Sequence, residues 1–281
     1  MKIFKTKKEL QSYLLSCRAA GQKIALVPTM GALHEGHLSL IAEAKKLAEI
    51  VVCSIFVNPT QFNDPKDLEK YPRPIENDIA LLQSAACDIL FLPEIAEMYP
   101  ADDSPWHIDL GELDSIWEGE KRPGHFQGVT QIVYKLFRLV APDIACFGQK
   151  DFQQVMVIQR LIDIKKLPVS IHICPTVRNK DGLALSSRNT RLSEEGKIKA
   201  LVLYRSLRYI KDHFGSVSPS QLRQNAINIL LQEDGIELEY LAICESRTLQ
   251  ETDTIMAGNS YVALLVVWLE GVRLIDNMIL Q

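Results

Sequence analysis

At 281 residues, 47% hydrophobic and 23% charged, the chain is long enough to bury roughly three-quarters of its unfolded surface without a disulfide or metal to staple it. That composition excludes the fibrous and disordered classes. Thirty-one Lys and Arg against 35 Asp and Glu leave a net charge of −4, which argues against a surface built to track nucleic acid.

The lysine-rich start, Met1 to Leu10, has no apolar core behind it and is not read as a signal peptide. Lys23 to Val27, Ile50 to Val57, Asp88 to Leu92, Ile144 to Phe147 and Val169 to Cys174 are short apolar or β-branched runs, predicted as buried strands. Between them, His37 to Ala48, Ile75 to Ala86, Val129 to Val140 and Asp151 to Leu167 carry helical spacing. This alternation predicts an α/β domain over residues 1–176, a doubly wound parallel sheet with right-handed crossovers. Tyr71 to Gly124, rich in Pro, Asp and Trp, is its irregular part.

From Pro175 to Asn189 the pattern becomes a polar, mobile-looking loop. Two helices follow, Glu194 to Phe214 and Ser218 to Glu233, then strands at Glu237 to Cys244, Tyr261 to Leu269 and Val272 to Ile275. Helices followed by strands predict a smaller α+β domain over residues 177–281. The longest apolar run, Tyr261 to Leu269, has nine residues, well short of the ~20 that span a bilayer. Six scattered cysteines have neither C-x-x-C nor zinc spacing and suit buried thiols in a reducing cytoplasm.

Chemistry-bearing residues gather at predicted strand exits. After the first strand comes Met30-Gly31-Ala32-Leu33-His34-Glu35-Gly36-His37. It has neither the G-x-G-x-x-G fingerprint nor a Walker lysine. Gly36 and the following helix N-terminus favour an anion, and two imidazoles there can donate to a phosphate. Histidines at a helix start also serve as caps or packing groups. A zinc site fits poorly, because the histidines lie three apart rather than in the H-E-x-x-H register and no third ligand is evident.

The second strand runs into Asn58-Pro59-Thr60-Gln61, whose amides can bind carboxylate or hydroxyl groups without adding charge. Asn58 also suits an Asx turn. Next comes Gly148-Gln149-Lys150-Asp151, with Gln154 a helical turn later. Asp151 suits a helix cap, whereas a lysine at a helix N-terminus is misplaced unless a polyphosphate shares the space. Leu185-Ser186-Ser187-Arg188-Asn189 combines hydroxyls with a guanidinium, either a solvated loop or a phosphate clamp. No Gly-x-Ser-x-Gly elbow accompanies these groups. The inventory suits binding and polarising a nucleotide triphosphate better than covalent hydrolysis.

Pro28 to His37, Phe56 to Phe62, Tyr71-Pro72-Arg73, Arg122 to Phe126, Gly148 to Gln154, Ser186 to Asn189 and Arg273 to Asn277 together resemble the pantothenate synthetase (pantoate–β-alanine ligase) family. His-x-Gly-His alone resembles only the wider nucleotidyltransferase superfamily shared with class I aminoacyl-tRNA synthetases. The resemblance implies a Rossmann-like catalytic domain with a C-terminal lid. It also implies ATP-dependent, Mg²⁺-requiring condensation of (R)-pantoate with β-alanine through a pantoyl adenylate, releasing AMP and pyrophosphate.

By the same resemblance, Met30, Gly31, Ala32, Leu33, His34, Glu35, Gly36, His37, Gly148, Gln149, Lys150, Asp151, Val177, Leu185, Ser186, Ser187 and Arg188 contact ATP. His34, His37, Lys150 and Arg188 are the catalytic groups, with His37 the usual proton donor. Gln61 meets pantoate and β-alanine and Gln154 meets pantoate, while Asn58 is a substrate-binding candidate from its place at the strand exit. Mg²⁺ rides mainly on the ATP phosphates, with no organic cofactor, no nucleic-acid or membrane partner, and a cytoplasmic homodimer. The serine–arginine loop resembles the flexible lysine–serine loop of class I synthetases. Gln127 and Gln149 stand where charged residues are more usual. Arg122 and His125 are pocket contacts or loop stabilisers. Another superfamily nucleotidyltransferase, an RNA-binding module and a metal hydrolase rank below the ligase in that order.

Overall fold

A computed structural model describes residues 1–280. The chain divides into two compact units, the first comprising Met1–Gly148 and Gln153–Pro175, the second Gln149–Phe152 and everything from Thr176 onward. The sequence placed a single division near residue 177. In the structure the first unit ends at Pro175, and the four residues 149–152 group with the second unit.

In chain order the first unit contains β1 (Lys2–Phe4), α1 (Lys7–Ala19), β2 (Ile24–Thr29), α2 (Glu35–Leu47), β3 (Ile50–Ile55), α3 (Pro65–Lys70), α4 (Ile75–Ser84), β4 (Ile89–Phe91), α5 (Ile95–Met98), α6 (Glu118–Lys121), α7 (His125–Val140), β5 (Ile144–Gly148), α8 (Phe152–Lys165, its first residue grouped with the second unit) and β6 (Ser170–Cys174). Its sheet is parallel throughout, in the order β1-β4-β3-β2-β5-β6. Strand order reverses between β2 and β5, so ligands are expected at the carboxyl ends of those strands.

Successive residues of a strand face opposite sides. Ile24 and Leu26 of β2 pack with α1, α7 and α8, while Ala25 and Val27 pack with α2 and α4. Both faces are covered, which is why these strands read as continuous apolar runs. Sequence spacing did not reveal β1 and α1. In α1 only Leu10, Leu14 and Cys17 are buried, and its start rests on the Thr6 hydroxyl, which accepts from Glu9 N at 3.3 Å.

The second unit contains α9 (Glu194–Lys199), α10 (Leu201–Asp212), α11 (Pro219–Leu230), β7 (Glu237–Glu245), β8 (Tyr261–Leu269) and β9 (Val272–Leu280). Leu203, Leu207 and Ile210 of α10 and Leu222 and Leu230 of α11 share a core with Leu241, Ala263, Leu265 and Leu274 of an antiparallel β7-β8-β9 sheet. The predicted helix Glu194 to Phe214 is interrupted at buried Ala200, and β9 runs five residues beyond its predicted end at Ile275. Among the described residues no helix is long and apolar enough to cross a membrane.

Candidate active site

After β2 the chain reverses through two left-handed residues, Gly31 (φ +81°) and Ala32 (φ +51°). Thr29 Oγ1 accepts from Gly31 N at 3.2 Å and donates to Ser54 O at 2.7 Å. Asp78, wholly buried near the start of α4, accepts from Ala32 N at 2.8 Å and from Leu33 N at 2.7 Å. A Cβ on Gly31 would lie 3.0 Å from both Asp78 Oδ2 and Ile55 Cγ2, so close approach as well as backbone conformation calls for glycine.

This turn delivers His34 to the N-cap of α2. Its Nδ1 accepts from Gly36 N at 3.1 Å, while His37 Nδ1 accepts from His34 N at 3.3 Å, a reciprocal cap built from two imidazoles. Capping and phosphate donation, alternatives in the sequence, are compatible in this geometry. A neutral imidazole accepting at Nδ1 carries its hydrogen at Nε2, so each ring is a donor on its far edge. The centroids lie 4.1 Å apart, at an N-terminus where the helix dipole favours an anion.

Beyond β3, Pro59–Gln61 form a 3₁₀ turn. Sequence reasoning left Asn58 either a substrate-binding amide or the residue of an Asx turn. In the structure it is 1% exposed and internally engaged. Its Nδ2 donates to Gln61 Oε1 and Gly128 O, both at 3.1 Å, while its Oδ1 accepts from Tyr99 Oη at 2.7 Å and Thr60 Oγ1 at 3.1 Å. Burial pushes the Tyr99 phenol up to about 12, so it remains a donor through the neutral range. Asn58 thus orients Gln61, whose Nε2 donates to Met30 Sδ at 3.2 Å.

His125 supports the same turn. Its Nε2 lies 3.2 Å from Arg122 Nη1 and its Nδ1 2.8 Å from Gln61 O. A guanidinium only donates, so Nε2 accepts and the ring hydrogen sits on Nδ1, the opposite tautomer to His34 and His37. Loop support, one of the two roles open for Arg122 and His125, is what these contacts provide. Gly128 of α7 makes the close packing possible, because a Cβ there would lie 2.6 Å from Gln61 N. Gly128→Ala is expected to lower unfolding free energy by about 1–3 kcal/mol through overpacking, read from the urea midpoint. Gln154 is half-buried in the first turn of α8.

Gly148 ends β5 in the first unit, and the other sequence-selected residues belong to the second. Gln149, Lys150 and Asp151 form a 3₁₀ turn leading into α8. Asn277 of β9 holds this turn. Its Nδ2 donates to Gln149 O at 2.9 Å and Lys150 O at 2.8 Å, and its Oδ1 accepts from Gln149 Nε2 at 3.2 Å. The uncharged Gln149 therefore ties the turn to β9. Gln127, the other departure from the family pattern, joins α7 to the preceding segment through Ile108 O at 3.0 Å and Asp114 Oδ2 at 2.6 Å.

The polar loop is bonded to itself. Leu185 N donates to Val177 O at 3.0 Å, and Arg178 pairs with Ala184 in an isolated antiparallel bridge. Ser186 Oγ accepts from Arg188 N at 3.3 Å at the start of a 3₁₀ turn, Ser187–Arg191. Arg178 grips buried Asp276 with both guanidinium nitrogens, at 2.6 and 2.9 Å, which with Asn277 explains why β9 continues through two polar residues.

Within the first unit the structure thus brings His34 together with His37, and Asn58 with Gln61 beside Met30. Within the second it brings Gln149 and Lys150 onto Asn277, and Val177 onto Leu185. Sequence reasoning missed Asp78 and the holding role of Asn277. The acidic start of α4, Glu76-Asn77-Asp78, was the available signal for Asp78. Among the described residues no group of three or more His, Cys, Asp or Glu side chains could hold a metal ion.

The model of the pantoate-beta-alanine ligase family matches residues 2–279. A pantothenate synthetase of Porphyromonas gingivalis is 44% identical over 278 residues, covering 99% of each chain. The crystal structure of pantothenate synthetase from Thermus thermophilus superposes with a TM-score of 0.92 at 41% identity, again covering 99% of each chain. A pantoate-beta-alanine ligase from Francisella tularensis, complexed with beta-gamma ATP and beta-alanine, has a TM-score of 0.81 at 37% identity, covering 99% of this chain and 97% of that one. From its second residue almost to its last, the chain belongs to the pantoate–β-alanine ligase family.

Proposed function

We propose that the protein condenses (R)-pantoate with β-alanine at the expense of ATP, through an enzyme-bound pantoyl adenylate, and releases AMP and pyrophosphate. The observation that carries this reading is the His34–His37 cap. Two imidazoles locked as Nε2 donors at a helix N-terminus suit a phosphate that gains charge during attack, and the family match extends over residues 2–279.

A carboxylate is a poor electrophile and must first acquire a leaving group. A pantoate carboxylate oxygen attacks the α-phosphorus of ATP, a new P–O bond forms, and pyrophosphate departs with the electrons of the broken bond. His34, His37, Lys150 and Arg188 neutralise the charge developing on the phosphates. Met30 to His37 in the first unit, and Gly148 to Asp151, Val177 and Leu185 to Arg188 along the later chain, complete the ATP contacts. Gln61 exchanges its weak Met30 sulfur acceptor for a substrate oxygen, and Gln154 binds pantoate. Asn58 acts by holding Gln61. In the second step the neutral amine of β-alanine attacks the acyl carbon, a C–N bond forms, the C–O bond to the phosphate breaks, AMP leaves with its electron pair, and the amine's surplus proton passes to water.

ATP is taken as its Mg²⁺ complex, with the ion held mainly by phosphate oxygens. The reading also makes the protein a cytoplasmic homodimer serving small molecules. Six buried free thiols support a reducing compartment.

Substrate-omission assays test the reaction. Pyrophosphate should exchange into ATP only with pantoate present, and net AMP release should require β-alanine as well. Exchange without pantoate, or AMP release without β-alanine, overturns the proposed sequence and points to a nucleotidyltransferase or hydrolase.

A further inference from the structure

We propose that Asp78 is the positioning residue of the ATP-binding loop, setting the two histidines through the backbone of residues 31–33 without touching the nucleotide. The proposal rests on the reading that this loop binds ATP. Asp78 is wholly buried, and both its carboxylate oxygens accept from consecutive loop amides, Ala32 N at 2.8 Å and Leu33 N at 2.7 Å. Burying a carboxylate is costly unless it is compensated, and two charge-assisted hydrogen bonds supply the compensation.

Those bonds act where the loop most needs restraint. Ala32 holds a left-handed conformation that an L side chain rarely adopts, and Gly31 before it is also left-handed. Leu33 immediately precedes His34, whose ring caps α2 by accepting from Gly36 N and whose backbone N–H donates to His37 Nδ1. A helix-dipole role for Asp78 would be met by an exposed carboxylate in the first turn, such as Glu76 already offers. The reach of Asp78 into a loop 45 residues earlier in the chain is what the dipole role leaves unexplained.

Asp78→Asn preserves size but replaces one acceptor with an N–H donor facing an amide donor. It should raise the KM for ATP about tenfold or more, and weaken MgATP binding by calorimetry in parallel, while the KM for β-alanine stays within twofold. Asp78→Ser, which leaves room for water to satisfy the amides, should give the same split if the asparagine variant folds poorly. Near-ultraviolet circular dichroism identifies the folded preparations. A folded variant with reduced thermal stability and an unchanged KM for ATP overturns the proposal and leaves Asp78 a purely structural residue. Failure of the unsubstituted protein to bind MgATP overturns the functional reading and this inference with it.

Discussion

His37→Ala is expected to slow pantoate-dependent exchange of pyrophosphate into ATP about 10²–10³-fold, the usual consequence of deleting one donor aimed at developing charge. The imidazole has two separable duties. Its Nδ1 accepts from His34 N, and that bond fixes the hydrogen on Nε2, where it can serve the phosphates. Alanine removes both, so the rate falls and loss of the cap destabilises the protein by about 0.5–2 kcal/mol. His37→Gln separates them, since glutamine is a natural capping-box partner at this position. Its stability should stay near that of the unsubstituted protein while exchange remains at least ten times slower. Exchange at the original rate in either variant would remove His37 from the chemistry.

The legible parts of the fold were those whose residues act locally. Ile24 and Leu26 face one helical layer and Ala25 and Val27 the other, so β2 announces itself as an unbroken apolar run. The His34 cap spans three residues and leaves a local signature. What stayed hidden depends on partners distant in sequence. Asp78 looks like one acidic residue in a helical first turn until its amide partners, 45 and 46 residues away, come into place. β9 stops at Ile275 by hydropathy, but Asp276 finds Arg178 98 residues earlier and Asn277 finds the 149–150 turn. Asn58 was ambiguous for the same reason. An amide at a strand exit suits a ligand, yet Tyr99, Thr60, Gln61 and Gly128 occupy its hydrogen-bonding groups.

Lys150→Ala should reduce pantoate-dependent exchange by a comparable ~10²–10³-fold, while net stability changes little. The lysine is half-buried, and its backbone carbonyl, rather than its ammonium, carries the bond from Asn277. Removing the side chain therefore leaves the turn's hold on β9 intact and deletes only a cation. Lys150→Arg restores charge with a larger planar head, so it should recover part of the rate if simple neutralisation suffices, and little if a compact ammonium is required. Asn277→Ala offers the complementary test. It leaves Lys150 unchanged but withdraws donors from Gln149 O and Lys150 O, so exchange should fall with a smaller loss than Lys150→Ala. In the double variant the losses should fall short of the sum of the two singles, because both act through one ammonium. Full additivity would separate Asn277 from Lys150, and unimpaired exchange in Lys150→Ala would sink the lysine's proposed role.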